Sequence, residues 1–245
     1  MLGLKQNAVP MEEQKMLPVG FNKSKKAPLF FLPKTEITAK MQALSTVQCY
    51  GKNPWPEIDK LQAWMVSAET SAFMKMGGLG VVASELPEAY NKEYGVSGDN
   101  VIIVTPLYVG DTGKKTALFN PETYEYKGAE GVSLFLKKIT TIEVPFINHN
   151  KLVSNRVGVF VGEVWGVTYV LLENEHFFSI QPHKENPSAQ GGCYVLNVHN
   201  VNEVERFAFF SKAVCVLLKD VLQNRQNPIM RPNLIIANDW HCGAM

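Results

Sequence analysis

Two short segments of the chain combine residue types that could do chemistry. The first is Lys75-Met76-Gly77-Gly78-Leu79-Gly80. Adjacent glycines let a ligand come close to the backbone, and a following helix would offer unpaired N–H groups at its positive dipole end. Lys75 adds a full charge, so the loop suits a phosphate. A glycine-rich turn that only solves a tight-packing problem, beside a solvated lysine, accounts for the same residues almost as well. The second segment is Asn238-Asp239-Trp240-His241. An Asp and a His steadied by a bulky Trp could hydrogen-bond sugar hydroxyls. Equally, Asp239 could cap a helix while Trp240 fills a core.

Other phosphate signatures compete for the glycines. Gly78-Leu79-Gly80-Val81-Val82-Ala83 satisfies the GxGxxA pattern of a nicotinamide-dependent oxidoreductase, which is weak alone. The acid that should close the second strand and hold a ribose is missing, because that strand ends in Thr105-Pro106. No P-loop pattern occurs, so nucleotide triphosphatase chemistry has no support. Cys49, Cys193, Cys215 and Cys242 lie far apart in unpaired positions that fit reduced thiols, with no spacing suited to zinc. No metal and no cofactor is expected.

The elements that must position these segments follow from the apolar patterning. Ala63-Trp64-Met65-Val66-Ser67 is a short apolar run of strand length, the glycine loop follows, and a helix runs from about Leu79 to Tyr94 and stops at Gly95. Val101 to Thr105 is a second apolar strand ended by Pro106. Strand, helix and strand imply a parallel sheet with a right-handed crossover. Further strands are expected at Val132 to Ile139, Thr141 to Pro145, Arg156 to Val161 and Val167 to Leu172, the last two joined by a tight Trp165-Gly166 hairpin. Asn174 to Asn200, with three histidines, two prolines and a Gly-Gly pair, reads as a long surface loop. Asn202 opens a helix with Glu205 as its capping-box partner, and an apolar stripe runs through Val201, Val204, Phe207, Ala208, Val214, Cys215, Leu218, Val221 and Leu222. Leu234 to Ala237 is another parallel-type strand, and the Asn238 segment follows it directly. In open parallel sheets ligands bind outside the carboxyl ends of the strands, so both chemical segments can face one crevice.

Residues 1–60 differ in texture. They hold nine lysines against five acids and six prolines, and are expected to form an irregular extension whose Leu29 to Leu32 run lies on the main body. The remainder, 61–245, reads as one domain. With 46% hydrophobic and 19% charged residues in 245, the chain can bury one substantial core. A net charge of +1 gives no field to attract nucleic acid or an anionic membrane. No signal-like start and no run near the roughly 20 apolar residues of a membrane span is present, so the expected location is cytoplasmic. For a plant source the expected location is the plastid, with no clear transit segment seen.

Four segments, in order, resemble the glycogen synthase and starch synthase family. They are Val66-Ser67-Ala68-Glu69 through Lys75-Met76-Gly77-Gly78-Leu79-Gly80, Val101 to Tyr108, Glu205-Arg206-Phe207-Ala208-Phe209-Phe210-Ser211, and Ala237-Asn238-Asp239-Trp240-His241. The resemblance implies an α/β fold: a Rossmann-like, mostly parallel sheet with helices on both faces and an antiparallel hairpin insertion, forming the N-terminal half of a GT-B glycosyltransferase. It implies transfer of glucose from ADP-glucose or UDP-glucose to the 4-hydroxyl end of an α-1,4-glucan, with retention. By the same resemblance Lys75, Asp239 and His241 are the catalytic candidates, while Gly77, Gly78, Leu79, Trp240 and Arg206 bind substrate. The chain departs from the family where Val81 stands in place of an Asp after Gly-Leu-Gly. The family's second, C-terminal Rossmann-like domain is expected in a longer form of the protein, and the chain as given is expected not to transfer glucose alone. A non-catalytic glucan- or partner-binding module on the same fold is the alternative from a different class.

Overall fold

The computed structural model describes residues 62–94, 101–148, 151–185 and 191–245. The 1–60 extension, the Leu29 run, Cys49 and the stop at Gly95 lie outside the described residues. Among the described residues four adjacent strands run parallel: β1 (Ala63–Val66), β2 (Val101–Pro106), β9 (Val167–Glu173) and β11 (Leu234–Ala237). Every residue of β1 and β2 is buried, as strands covered on both faces must be. Two long antiparallel strands, β8 (Lys151–Val164) and β7 (Lys137–Asn148), extend this sheet to the order β11-β1-β2-β9-β8-β7.

A second sheet has the order β10-β3-β4-β5-β6, from Val109–Asp111 (β3), Thr116–Phe119 (β4), Glu125–Lys127 (β5), Ser133–Phe135 (β6) and Ser179–Ile180 (β10). It was not expected. Its strands are two to four residues long, too short for an alternating pattern to stand out, and they become strands by pairing with one another.

Among the described residues two long helices flank the main sheet. Helix α1 (Gly78–Tyr94) follows β1 and packs on β2 and β9. Helix α3 (Glu203–Gln223) packs on β7, and Asn202 caps it by accepting from the Glu205 N–H at 2.8 Å. Alternation sorts the strand residues between the faces. Trp64, Val66, Ile102, Val104, Val170 and Leu172 share a core with Phe207, Phe210 and Leu217 of α3. On the other face Ala63 and Met65 meet Ala83 of α1, while Ile103, Tyr169 and Leu171 meet Phe73 and Tyr126 beneath the small sheet. The fold is therefore α/β with a mostly parallel core and a helix on each face, and one face is shared between a helix and a second sheet.

Three local expectations need correction. The apolar run Val132 to Ile139 is not one strand: it divides at Leu136, which is buried against the sheets and donates its N–H to the Tyr124 carbonyl at 2.9 Å, so β6 and β7 belong to different sheets. The stretch Asn174 to Asn200 is not wholly surface loop. It contains a short helix α2 (Glu175–Phe178) and β10, and Phe177, Phe178, Ile180, Cys193 and Asn197 are buried. The stripe of α3 is also rotated from the expected one: Val204 and Leu222 are exposed, whereas Arg206, Phe210, Ala213 and Leu217 are buried. The Trp165-Gly166 hairpin forms as expected, with φ of 53° and 73°, the two positive values that a type I′ turn needs.

Candidate functional site

The parallel register sets β1 beside β11, with Val66 opposite Ala237, so the segments after both strands leave the same edge of the sheet side by side. Asn238 fastens them together: its backbone N–H and its side-chain amide donate to the Val66 carbonyl at 2.9 and 3.1 Å. The glycine loop and the Asp-Trp-His corner are thus neighbours.

The loop between β1 and α1 is tightly organised. Thr70 and Met74 exchange backbone hydrogen bonds of 2.9 and 3.1 Å, and the Ser71 N–H reaches the Gly80 carbonyl at 3.0 Å. The Glu69 side chain lies beneath the glycines, with Oε2 accepting from the Met76 and Gly77 N–H groups at 2.8 Å each. Gly77 and Gly78 are exposed, and neither has a positive φ. A Cβ placed on either would meet no heavy atom within 4 Å. Neither conformation nor packing among the described residues therefore demands glycine there, and the turn is not a tight-packing device. What the pair achieves is bare backbone open to the surroundings. The N–H groups of Gly78, Leu79 and Gly80 head α1, where intrahelical partners are lacking, and no acidic side chain occupies its first turn. Lys75 is exposed, its stem 3.4 Å from where a Gly80 Cβ would stand. Leu79 and Val81 are half-buried in the first turn.

The corner after β11 is held in an uncommon conformation. Asp239 has φ 63° and ψ 176°, a region almost confined to glycine, and such a residue costs on the order of 1–3 kcal/mol. Its Oδ1 accepts from the Trp240 N–H at 2.6 Å, and the 3-10 turn Trp240–Cys242 follows. Trp240 is half exposed, its ring edge-on to Phe207. His241 is buried, with ring centroids 4.3 Å from Trp240, 4.6 Å from Phe207 and 5.2 Å from Tyr194. Neither imidazole nitrogen finds a hydrogen-bond partner among the described residues, although Asp239 Oδ2 lies 3.9 Å from Nδ1. Burial pushes the imidazole below its ordinary pKa, against the opposing pull of the Asp239, Glu69 and Glu203 carboxylates, so the ring is neutral at neutral pH.

Arg206 does not join this edge as a ligand contact. Its side chain is wholly buried, and the guanidinium donates to the carbonyls of Phe177 at 2.9 Å, Val195 at 3.0 Å and Cys193. It ties α3 to the 191–195 segment from inside. Position alone in an Arg-Phe-Ala-Phe-Phe helix could not distinguish that role from an exposed one.

The same sheet edge carries a cavity of about 500 Å³ at the ends of β2 and β9, which residue patterns did not reveal. Phe119, Tyr124 and Phe160 supply aromatic walls with centroids 5.1 to 6.5 Å apart, and Lys138 and Glu173 supply charge. Burial raises the Glu173 carboxyl above its usual range; Lys138 lowers it and Glu175 adds to the rise. Glu173 is the last residue of a buried strand, and that placement at a carboxyl end was the available signal. Among the described residues no group of three or more His, Cys, Asp or Glu could hold a metal ion. Burial raises the Cys193 and Cys242 thiols to about 12, so both are unreactive thiols at neutral pH, and neither is in a disulfide. No helix among the described residues is long and apolar enough to cross a membrane.

Fold and site together define an open α/β domain of the kind that takes its ligand outside the carboxyl ends of parallel strands. Residues 62–245 match the family described as the starch synthase catalytic domain, and the chain belongs to that family. It is 29% identical over 187 residues to a glycogen synthase of Clostridium botulinum (strain Alaska E43 / Type E3), an alignment covering 76% of this chain and 29% of the relative. A Lactococcus lactis glycogen synthase is 26% identical over 181 residues, with 74% and 29% covered. A solved structure, the catalytic domain of starch synthase IV from Arabidopsis thaliana bound to ADP and acarbose, is similar at 22% identity and TM-score 0.46, covering 75% of this chain and 29% of that one. The chain therefore spans about 29% of the length of the glycogen synthases it matches.

Proposed function

We propose that this chain is the acceptor-side domain of a glucan-synthesising glucosyltransferase, the first of two Rossmann-like halves of a GT-B enzyme. The reaction moves glucose from ADP-glucose or UDP-glucose to the 4-hydroxyl end of an α-1,4-glucan with retention. The observation that carries the proposal is the glycine pair: Gly77 and Gly78 leave backbone bare at the N-terminus of α1, beside Lys75 and one strand away from the Asp239 corner. Family membership supplies the sugar chemistry.

In this reading the bond from the glucosyl carbon to the diphosphate breaks, and negative charge builds on the departing phosphate oxygen. Lys75 and the Gly78, Leu79 and Gly80 N–H groups are fixed donors to that charge and need little reorganisation as it forms. The acceptor hydroxyl gives up its proton to the departing phosphate oxygen as its own oxygen bonds to the same carbon. Trp240 offers a half-exposed ring face and Asp239 an exposed carboxylate for sugar hydroxyls, while the buried His241 ring supports both from beneath. The aromatic walls and Glu173 of the cavity suit further glucose units of the acceptor.

Titration of the chain with ADP-glucose and UDP-glucose, followed by amide NMR, tests the proposal. Binding of at least one donor with shifts centred on residues 75–80, abolished by Lys75→Ala, is the expected result. Binding of neither would overturn it. A second reading, a glucan- or partner-binding module without donor chemistry, is favoured by Val81, which puts an apolar residue in the first turn of α1. It predicts retention on a glucan matrix with no response to either nucleotide sugar.

A further inference from the structure

One buried acid is not used by the reaction just described. Glu69 is 3% exposed, three residues beyond the end of β1, and a carboxylate taken from water is costly unless donors surround it. Three donors do so. The Met76 and Gly77 N–H groups serve Oε2 at 2.8 Å each, and the Tyr194 hydroxyl serves Oε1. Hydrogen bonds to an ionised acceptor are about twice as strong as neutral ones. Tyr194 stays a neutral donor, because burial and the bond to Glu69 both push its ionisation upward.

Tyr194 reaches the other corner as well, its ring centroid 5.2 Å from His241 and 5.8 Å from Phe207. The segment that carries it is laid flush against the glycine loop by Gly192, at φ 138°, where a Cβ would stand 2.7 Å from Met76 Sδ. Glu69 and Tyr194 therefore join three pieces of chain that are remote in sequence: the turn after β1, the segment before α3 and the turn after β11.

We propose that Glu69 and Tyr194 are positioning residues that hold the glycine loop in register with the Asp-Trp-His corner, with Glu69 also an internal anion that limits how tightly the loop binds phosphate. The inference rests on the reading of this loop as the donor-diphosphate site. Because Glu69 already occupies the Met76 and Gly77 N–H groups, an incoming diphosphate meets Lys75 and the N–H groups of Gly78, Leu79 and Gly80, with a carboxylate oxygen 3.5 Å from the Gly80 Cβ position. The geometric and electrostatic roles then separate by substitution. Gln keeps an acceptor for the loop and removes the charge, whereas Ala removes both.

The test combines hydrogen exchange of the whole chain with ADP titration. In Glu69→Ala, exchange at the Met76 and Gly77 amides speeds up by about tenfold or more, the effect of losing one charge-assisted bond, while amides of β2 and β9 keep their rates. ADP affinity falls with it. Tyr194→Phe, which sheds only the hydroxyl and keeps the ring packing, shows a smaller change in the same direction. Glu69→Gln retains protection and binds ADP at least as tightly as the wild type. Unchanged exchange at Met76 and Gly77 in Glu69→Ala, or acceleration spread evenly over the sheet, would overturn the positioning role. Weaker ADP binding by Glu69→Gln, in step with its loss of stability, would overturn the electrostatic one. Failure of the wild type to bind ADP would remove the diphosphate reading itself, while the local exchange pattern would still decide whether Glu69 and Tyr194 hold the loop.

Discussion

Lys75 and Arg206 are both cations in segments with family-like sequence, and the structure gives them opposite fates. Lys75 stands exposed beside bare backbone, whereas Arg206 is sealed inside with three carbonyls as partners. Lys75→Ala should leave the urea midpoint unchanged. In a form of the protein that transfers glucose it should lower kcat/KM by about 10²–10³-fold, the scale of one lost charge-stabilising contact. Unaltered turnover would remove Lys75 from the mechanism. Arg206→Met should cost roughly 3–5 kcal/mol in urea unfolding, because the carbonyls of Phe177, Cys193 and Val195 lose their donor in a dry interior. Arg206→Lys should recover little of that, since an ammonium cannot fork to three acceptors. A loss below about 1 kcal/mol for Arg206→Met would show that the network is not structural. Gly78→Ala separates function from folding in the same way. A Cβ there meets nothing, so stability holds or rises slightly while ADP affinity falls, as paired calorimetric measurements would show.

Elements were legible where their period was long or their punctuation strong. The strands at 63–66, 101–106 and 234–237 are short apolar runs, and α1 and α3 begin within a residue of where the glycine cluster and Asn202 set them. The hairpin between β8 and β9 was legible from Trp165-Gly166, and it carries a cost that can be relieved. Trp165 holds φ 53° with its ring mostly exposed, a position at which a type I′ turn prefers Asn. Trp165→Asn should raise stability by about 0.5–1 kcal/mol in urea unfolding, and destabilisation would show that the exposed ring packs on its surroundings. The small sheet was not legible, because strands of two to four residues depend on partners that lie far away in sequence.

For the molecule as a whole, the corner built around His241 makes stability depend on pH. Burial lowers the folded-state pKa of the imidazole below its unfolded value of about 6.5, so the unfolded chain binds the extra proton first. The contribution of neutral His241 is complete above about pH 6.5 and is lost as pH falls from there toward the folded-state pKa. Urea unfolding of the wild type and of His241→Gln between pH 8 and 5 isolates this group, since other titrations cancel in the difference. The wild type should lose stability more steeply below pH 6.5, and equal slopes would show that the imidazole is solvated.

At this scale the candidate site divides between what patterns reveal and what they cannot. The Lys75 loop and the Asp239 corner were visible because each follows an apolar strand directly, and strands of one parallel sheet share an edge for their carboxyl ends. Tyr194 carried no comparable mark, Glu69 stood without a role of its own inside a family-like segment, and Glu173 had only its place at the end of an apolar strand. Glu69 is one acid in a turn and Tyr194 one aromatic after Gly191-Gly192, and their bond spans 125 residues of chain. The sequence by itself determined the α/β class, the main parallel strands, both long helices and the two turns with chemical residue types, because local periodicity and turn chemistry act over a few residues. Only the tertiary structure decided that Tyr194 bridges the loop's Glu69 and the corner's His241, that Arg206 faces inward, and that a buried carboxylate stands beneath the glycines. Contact, burial and desolvation arise between segments remote along the chain, and no local pattern encodes them.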